Sequence, residues 1–304
     1  MQTVAHGRPF VVRGIPLPHA NARGTIQCRS RALPNSAFPV ATRSPVSHQF
    51  TRAIVRPPSA NFADGLTTVS LGVPDVTRAL AQWNAYVEAL SACGLLIETL
   101  REQPAYPDAT FVEDTAVIVP GLAVFTRPGA ASREGEVTTM REAITRAIDA
   151  TRDIVGPGTL DGGDVCEHGT HLYIGISHRT NEEGARQLAE HVATVGFTAS
   201  TIDIRGIDAI LHLKSGLVSI DDNLLVAIDE LAAHPALGRE SVLRVSAREA
   251  YAANCVRVND RVLVAAGFPL FTSELRRLGF DPLLLSMTEF QKMDGGLSCL
   301  SLRF

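Results

Sequence analysis

Residues whose types could do chemistry together fall in four short stretches of the 304-residue chain. "PDATFVEDTAV" carries Asp108, Glu113 and Asp114, and "LDGGDV" carries Asp161 and Asp164. "LHLKSG" carries His212 and Lys214, and "MDGGLSC" carries Asp294 and Cys299. Singly, each has an ordinary explanation: turn carboxylates accepting backbone N–H groups, a satisfied core histidine, an inert packing thiol. Together they suit one reaction. Several carboxylates in one pocket attract a cation, and two or three of them can bond a planar guanidinium bidentately. A thiolate attacks its electrophilic carbon. A histidine protonates the departing amine and then activates water. The sum is hydrolysis of an amidine through a covalent thiouronium intermediate.

Two arginines extend the set. "TRPGAASREGE" places Arg133 and "SHRTNEEG" places Arg179, each just before a helical segment. Beside an acidic pocket, such a pair would hold an α-carboxylate and leave the guanidinium to the acids. A ligand with those two ends is an arginine-like amino acid.

Positioning these residues requires elements that bring distant stretches to one place. Helices are expected over "VTRALAQWNAYVEALSACG", "EVTTMREAITRAID", "TNEEGARQLAEHVATVG" and "FTSELRRLG", several of them stopping at a glycine. Strand pairs are expected in "DTAVIVPGLAVFT", "GDVCEHGTHLYIG", "GLVSIDDNLLVAI" and "NCVRVNDRVLVAA", each an apolar run, a tight turn and a second apolar run. "GGLSCLSLRF" supplies one more strand. Asp114, Asp164, Gly216, Asn254 and Gly296 then start equivalent units, repeating about every 40 to 50 residues. Hairpins alternating with helices at that period define an α/β fold, a five-bladed α/β propeller. Pairing "GLSCLSLRF" with "TRAIVRPPS" would close the ring and protect both edges. Because equivalent ends meet at the axis, the acids, the histidine and the cysteine would share a central pocket.

Composition narrows the function classes. At 45% hydrophobic, 20% charged and net charge −4, the chain is an ordinary globular one with no basic field for nucleic acid or an anionic membrane. No apolar run approaches the roughly 20 residues that span a bilayer. Five widely spaced cysteines with no C-x-x-C pair argue for a reducing, cytoplasmic setting and against a disulfide framework or zinc knuckle. Residues 1–50 are set apart: they are Arg-rich, and no Asp or Glu occurs before Asp64. Such a segment is compatible with organellar targeting. The lack of an amphipathic stripe favours a disordered extension or a start placed too far upstream. Residues 51–304 are expected to form a single catalytic domain.

"FVEDTAV", "TRPGAASREGE", "LDGGDV", "HRTNEEGA", "LHLKSG", "AANC" and "DGGLSC" resemble, in order, the dimethylarginine dimethylaminohydrolases of the guanidino-modifying pentein superfamily. The resemblance covers about Thr51 to Phe304. It implies a cofactor-free, metal-free five-bladed propeller that hydrolyses Nω-methylated arginines to citrulline and an alkylamine. It implies Cys299 as nucleophile, His212 as general acid/base and Asp161 as the carboxylate that orients His212. Some family members carry Glu where Asp161 stands, so the pocket here would differ slightly. By the same resemblance Asp114 would bind the guanidino nitrogens, Glu113 and Asp108 would support the acidic wall and the α-amine, and Arg133 and Arg179 would hold the α-carboxylate. Leu66 and Met293 match positions that offer backbone carbonyls to the ligand. A homodimer is expected by family analogy alone. An arginine deiminase or amidinotransferase activity on the same fold is the alternative, and a non-catalytic binding propeller is another. Acidic neighbours raise a thiol's pKa, so the nucleophile is expected to rest as a thiol and to ionise when a guanidinium binds.

Overall fold

A computed structural model describes residues 48–304, and the expectations for residues 1–47 lie outside the described residues. The first unit contains β1 (Arg52–Val55), α1 (Val76–Ala92) and β2 (Leu96–Thr99). The second runs β3 (Ala116–Val119), β4 (Leu122–Phe125), α2 (Glu136–Thr145) and β5 (Thr151–Asp153). The third runs β6 (Val165–His168), β7 (His171–Ile176), α3 (Glu182–Ala193) and β8 (Thr198–Asp203). In the fourth, β9 (Leu217–Asp221), β10 (Leu224–Ile228) and β11 (Val242–Val245) follow with only a 3-10 turn, Pro235–Leu237, between the last two. That missing helix shortens the repeat there. The fifth runs β12 (Val256–Val258), β13 (Arg261–Ala265), α4 (Pro269–Arg277) and β14 (Asp281–Leu285). The short α5 (Thr288–Gln291) and β15 (Leu302–Arg303) come last.

These strands form five three-stranded sheets, ordered β15-β1-β2, β3-β4-β5, β6-β7-β8, β9-β10-β11 and β12-β13-β14. In each, the first two strands are antiparallel and the third is parallel to the second. A parallel partner needs a crossover, which a helix supplies in every sheet but β9-β10-β11, where the stretch around Pro235–Leu237 makes it. Tight antiparallel turns use Gly121 (φ 81°) and Asn259 (φ 53°), conformations that glycine and asparagine tolerate best. α1 shows how local sequence sets an element. Asp75 caps it by accepting the Arg78 N–H at 3.0 Å. Ala79, Trp83, Tyr86 and Leu90 recur three or four apart on its buried face, and the helix stops before Gly94 at φ 94°.

The ring closes as expected. β15 pairs antiparallel with β1, Ala53 opposite Arg303 and Ile54 opposite Leu302. The Thr51 and Arg52 N–H groups both donate to the Phe304 carbonyl. Two expectations need correction. Each unit has three strands, not two: the outer strands "TRD" of β5 and "TASTID" of β8 are polar and largely solvent-facing, so these two lack an apolar signature. The run around Cys299 is also not strand throughout. Ser298–Leu300 form a 3-10 turn, and only Leu302–Arg303 are extended. Beneath this turn Phe62, Phe111 and Phe290 pack with ring centroids 5.4 to 6.3 Å apart. The Tyr86 hydroxyl lies 2.6 Å from Ser301 Oγ, tying α1 to the same segment.

Candidate active site

A 3-10 turn precedes the innermost strand of every sheet: Val112–Thr115, Gly162–Asp164, Leu213–Ser215, Ala247–Ala253 and Ser298–Leu300. The chemistry read from the sequence sits on or beside these turns. Those carrying Asp114 and Cys299 pack together, as do those carrying Asp114 and Asp164, and those carrying Asp164 and the residues after His212.

Asp161 is fully buried and holds His212. Its Oδ2 accepts from His212 Nε2 at 3.0 Å, its Oδ1 accepts the Gly129 N–H at 2.8 Å, and its own N–H donates to Thr180 Oγ1 at 3.0 Å. With Nε2 engaged, Nδ1 is left facing Gly163. A methyl group on Gly163 would stand 2.8 Å from both His212 Nδ1 and Asp114 Oδ1. Gly163→Ala is therefore expected to displace the ring or the carboxylate and lower kcat by about 100-fold. Steady-state kinetics together with an unchanged circular dichroism spectrum would check this. Burial alone would lower the pKa of His212, but Asp114, Asp164 and Asp161 outweigh it and bring it up to about 9. The ring is an imidazolium at neutral pH.

Asp114 is buried between two donors, the Gly163 N–H at 2.8 Å and Arg133 Nη1 at 2.6 Å. Burial opposes its ionisation, yet His212, Arg133 and these hydrogen bonds hold its carboxyl down at about 2. Arg133 faces the protein more than the expectation of a carboxylate clamp implied. Nε and Nη2 reach Glu136 at 3.0 and 2.8 Å, and Nη2 also reaches the Phe111 carbonyl at 3.1 Å. One N–H on Nη1 is left for a ligand. Glu136, fully buried in the first turn of α2, was missed by the sequence reading. Its signal was the three-residue spacing from Arg133 in "REGE".

Asp108 accepts the Leu66 N–H with both oxygens at 3.1 Å, and its burial pushes its pKa up. A side chain on Gly65 would stand 2.4 Å from Asp108 Oδ1 and 3.2 Å from Met293 Cε, so Leu66, Asp108 and Met293 are brought together. Leu66 is 41% exposed, while Met293 is buried. Asp294, at φ 56°, accepts from the N–H and hydroxyl of Thr68 and pins that loop. Arg179 is half-buried, its guanidinium makes no hydrogen bond among the described residues, and its charge acts on Asp108.

Cys299 is 9% exposed, and its thiol is pushed up to about 12, first by burial, then by Glu113 and Asp114. Ser298 Oγ lies 3.9 Å from its Sγ and donates to Glu113 Oε2 at 2.7 Å. Lys214 Nζ donates to Glu113 Oε1 at 2.7 Å. Glu113 thus faces Lys214 and Ser298, at the floor of a cavity of about 380 Å³ running along the ring axis. Asp114, Asp161 and His212 offer donor atoms within 4.8 Å of one another, a spacing that suits a cation. These side chains are already bonded to Arg133, Gly163, Gly129 and each other.

Five three-stranded sheets around an axis, with a thiol, a carboxylate-held histidine and an acidic wall at one rim, make this an α/β propeller of the pentein type. No family model matches the chain. It is 40% identical over 256 residues to the N(G),N(G)-dimethylarginine dimethylaminohydrolase of Pseudomonas aeruginosa, covering 84% of this chain and all of that one. It is 38% identical over 256 residues to the protein of the same name in Streptomyces coelicolor, covering 83% and 96% of the two chains. The solved structure of a cysteine-to-serine variant of the Pseudomonas enzyme complexed with citrulline superposes with a TM-score of 0.81. The two are 39% identical, with 84% of this chain and all of that one covered. The chain belongs to the dimethylarginine dimethylaminohydrolase family.

Proposed function

We propose that the protein hydrolyses Nω-methylated arginines, asymmetric dimethylarginine and monomethylarginine, to citrulline and an alkylamine through a thiouronium on Cys299. The observation that carries this reading is the buried Asp161–His212 pair, with its imidazolium beside Asp114 and a thiol on the neighbouring turn. Asp114 takes the substrate guanidinium, with Glu113 and Asp108 completing the negative wall. Arg179, and the remaining N–H of Arg133, take the α-carboxylate. The backbone carbonyls of Leu66 and Met293 take the α-amine end. The free thiol rests protonated. A guanidinium seated on Asp114 offsets the carboxylates that hold it so, and the thiolate then attacks the guanidinium carbon. His212 protonates the leaving amine, then takes a proton from the water that releases citrulline.

The catalytic domain is residues 51–304, acting on a small molecule, as a homodimer by family analogy. A cytoplasmic setting is supported by the free state of Cys93, Cys166, Cys255 and Cys299. Incubation with arginine, monomethylarginine and asymmetric dimethylarginine, with citrulline measured for each, tests the reading. Citrulline from the methylated substrates is expected. Turnover of arginine alone would favour the deiminase alternative, and turnover of none would overturn the reading.

A further inference from the structure

We propose that Ser298 is a catalytic residue, carrying the thiol proton of Cys299 to Glu113 and so out through the axial channel. The inference rests on the reading of Cys299 as nucleophile.

The thiol must lose its proton after the ligand is seated, and the ligand then fills the acidic side of the pocket. His212 is not a receiver there, because its neighbours keep it protonated up to about 9. Ser298 is placed to receive. Its hydroxyl donates to Glu113 Oε2 at 2.7 Å, and Asn254 Nδ2 donates to it at 3.2 Å. One lone pair of Oγ remains, and Cys299 Sγ lies 3.9 Å away, within reach of a sulfur hydrogen bond. The turn is held for this. Asn254 Oδ1 accepts the Ser298 N–H at 2.9 Å, and a side chain on Gly296 would strike the Asn254 amide.

Beyond Glu113 the path opens. Glu113, Lys214 and Ser298 line the channel of about 380 Å³, whose walls include Val165, Val218, Val256 and Leu302 from the innermost strands. It extends from the buried Glu113 and Ser298 to Gln49, Pro120 and Gly121, which are exposed. The charged groups facing Glu113 are Lys214 at 2.7 Å and Arg303 at 3.7 Å. The transfer balances. The S–H bond breaks as an O–H bond forms on Ser298 Oγ. The original Ser298 proton moves to Glu113 Oε2 and from there to solvent. When the thiolate is expelled as the leaving group, the same steps run in reverse.

The test is alkylation of Cys299 by chloroacetamidine, an amidinium that needs only the acidic wall and a thiolate, read as rate against deuterium content of the solvent. The wild-type protein is expected to give a bowed dependence, two protons in flight. Ser298→Ala is expected to alkylate at least about tenfold more slowly, with the bow lost, and Ser298→Thr, which keeps the hydroxyl, to restore both. A linear dependence in the wild-type protein overturns the relay, whether or not Ser298→Ala folds. So does a Ser298→Ala rate within twofold of wild type. Failure to turn over methylarginine, with this alkylation pattern intact, would count against the substrate assignment and not against the relay.

Discussion

Replacing Cys299 with serine is expected to lower citrulline formation by on the order of 10⁴-fold or more, while methylarginine still binds with near-normal affinity. The reason lies in the surroundings of the sulfur. Even the thiol is held up to about 12 by burial and by Glu113 and Asp114. A serine hydroxyl starts several units higher, so a bound guanidinium cannot bring it into a reactive range. His212, already an imidazolium, cannot serve as its base. The acids that hold the ligand are untouched by the change. Citrulline production measured beside equilibrium binding of asymmetric dimethylarginine checks both halves. Residual activity within about 100-fold of wild type would move the nucleophile elsewhere.

The second large effect concerns His212. His212→Ala is expected to cost about 10²- to 10⁴-fold in kcat, and more with dimethylarginine than with a substrate whose leaving group needs no protonation. The pH profile carries the sharper test. The folded-state pKa is raised to about 9 by Asp114, Asp164 and Asp161 against the opposing effect of burial. The proton donor is thus fully present at neutral pH and is lost as pH rises through about 9. Wild-type kcat/KM, which reports the free enzyme, should fall on that alkaline limb, and the limb should vanish in His212→Ala. A wild-type kcat/KM already falling near pH 6.5, the ordinary histidine value, would mean that the carboxylates do not act on the ring.

Much of this arrangement was legible in the sequence because it repeats. Four hairpins with tight turns at similar spacing revealed a ring, and the ring told which ends converge. Two of the outer strands were hidden for a physical reason: β5 and β8 face solvent on polar side chains and owe their pairing to the helix that delivers them. The local shape at Cys299 was hidden too. "GLSCLSL" alternates like a strand, but the hydrogen bonds of Asn254 to Ser298, made across 44 residues, hold its first part in a turn. Site residues with an unusual type for their place, such as Cys299 and Asp161, stood out. Glu136 did not, because a glutamate opening a helix is ordinary. Only the structure reveals that its carboxylate is buried against Arg133.

The seam that closes the ring has a consequence for how the molecule fails. β15 meets β1 over two residue pairs, whereas β7 meets β8 over six and β13 meets β14 over five. The seam joins positions some 250 residues apart, so its closure entropy is large and its gain in contacts small. The nucleophile sits three residues ahead of β15. Local opening there would carry the sulfur away from Asp114 and His212 while the other four sheets stay folded. Activity is therefore expected to disappear under mild stress that leaves the bulk of the secondary structure intact.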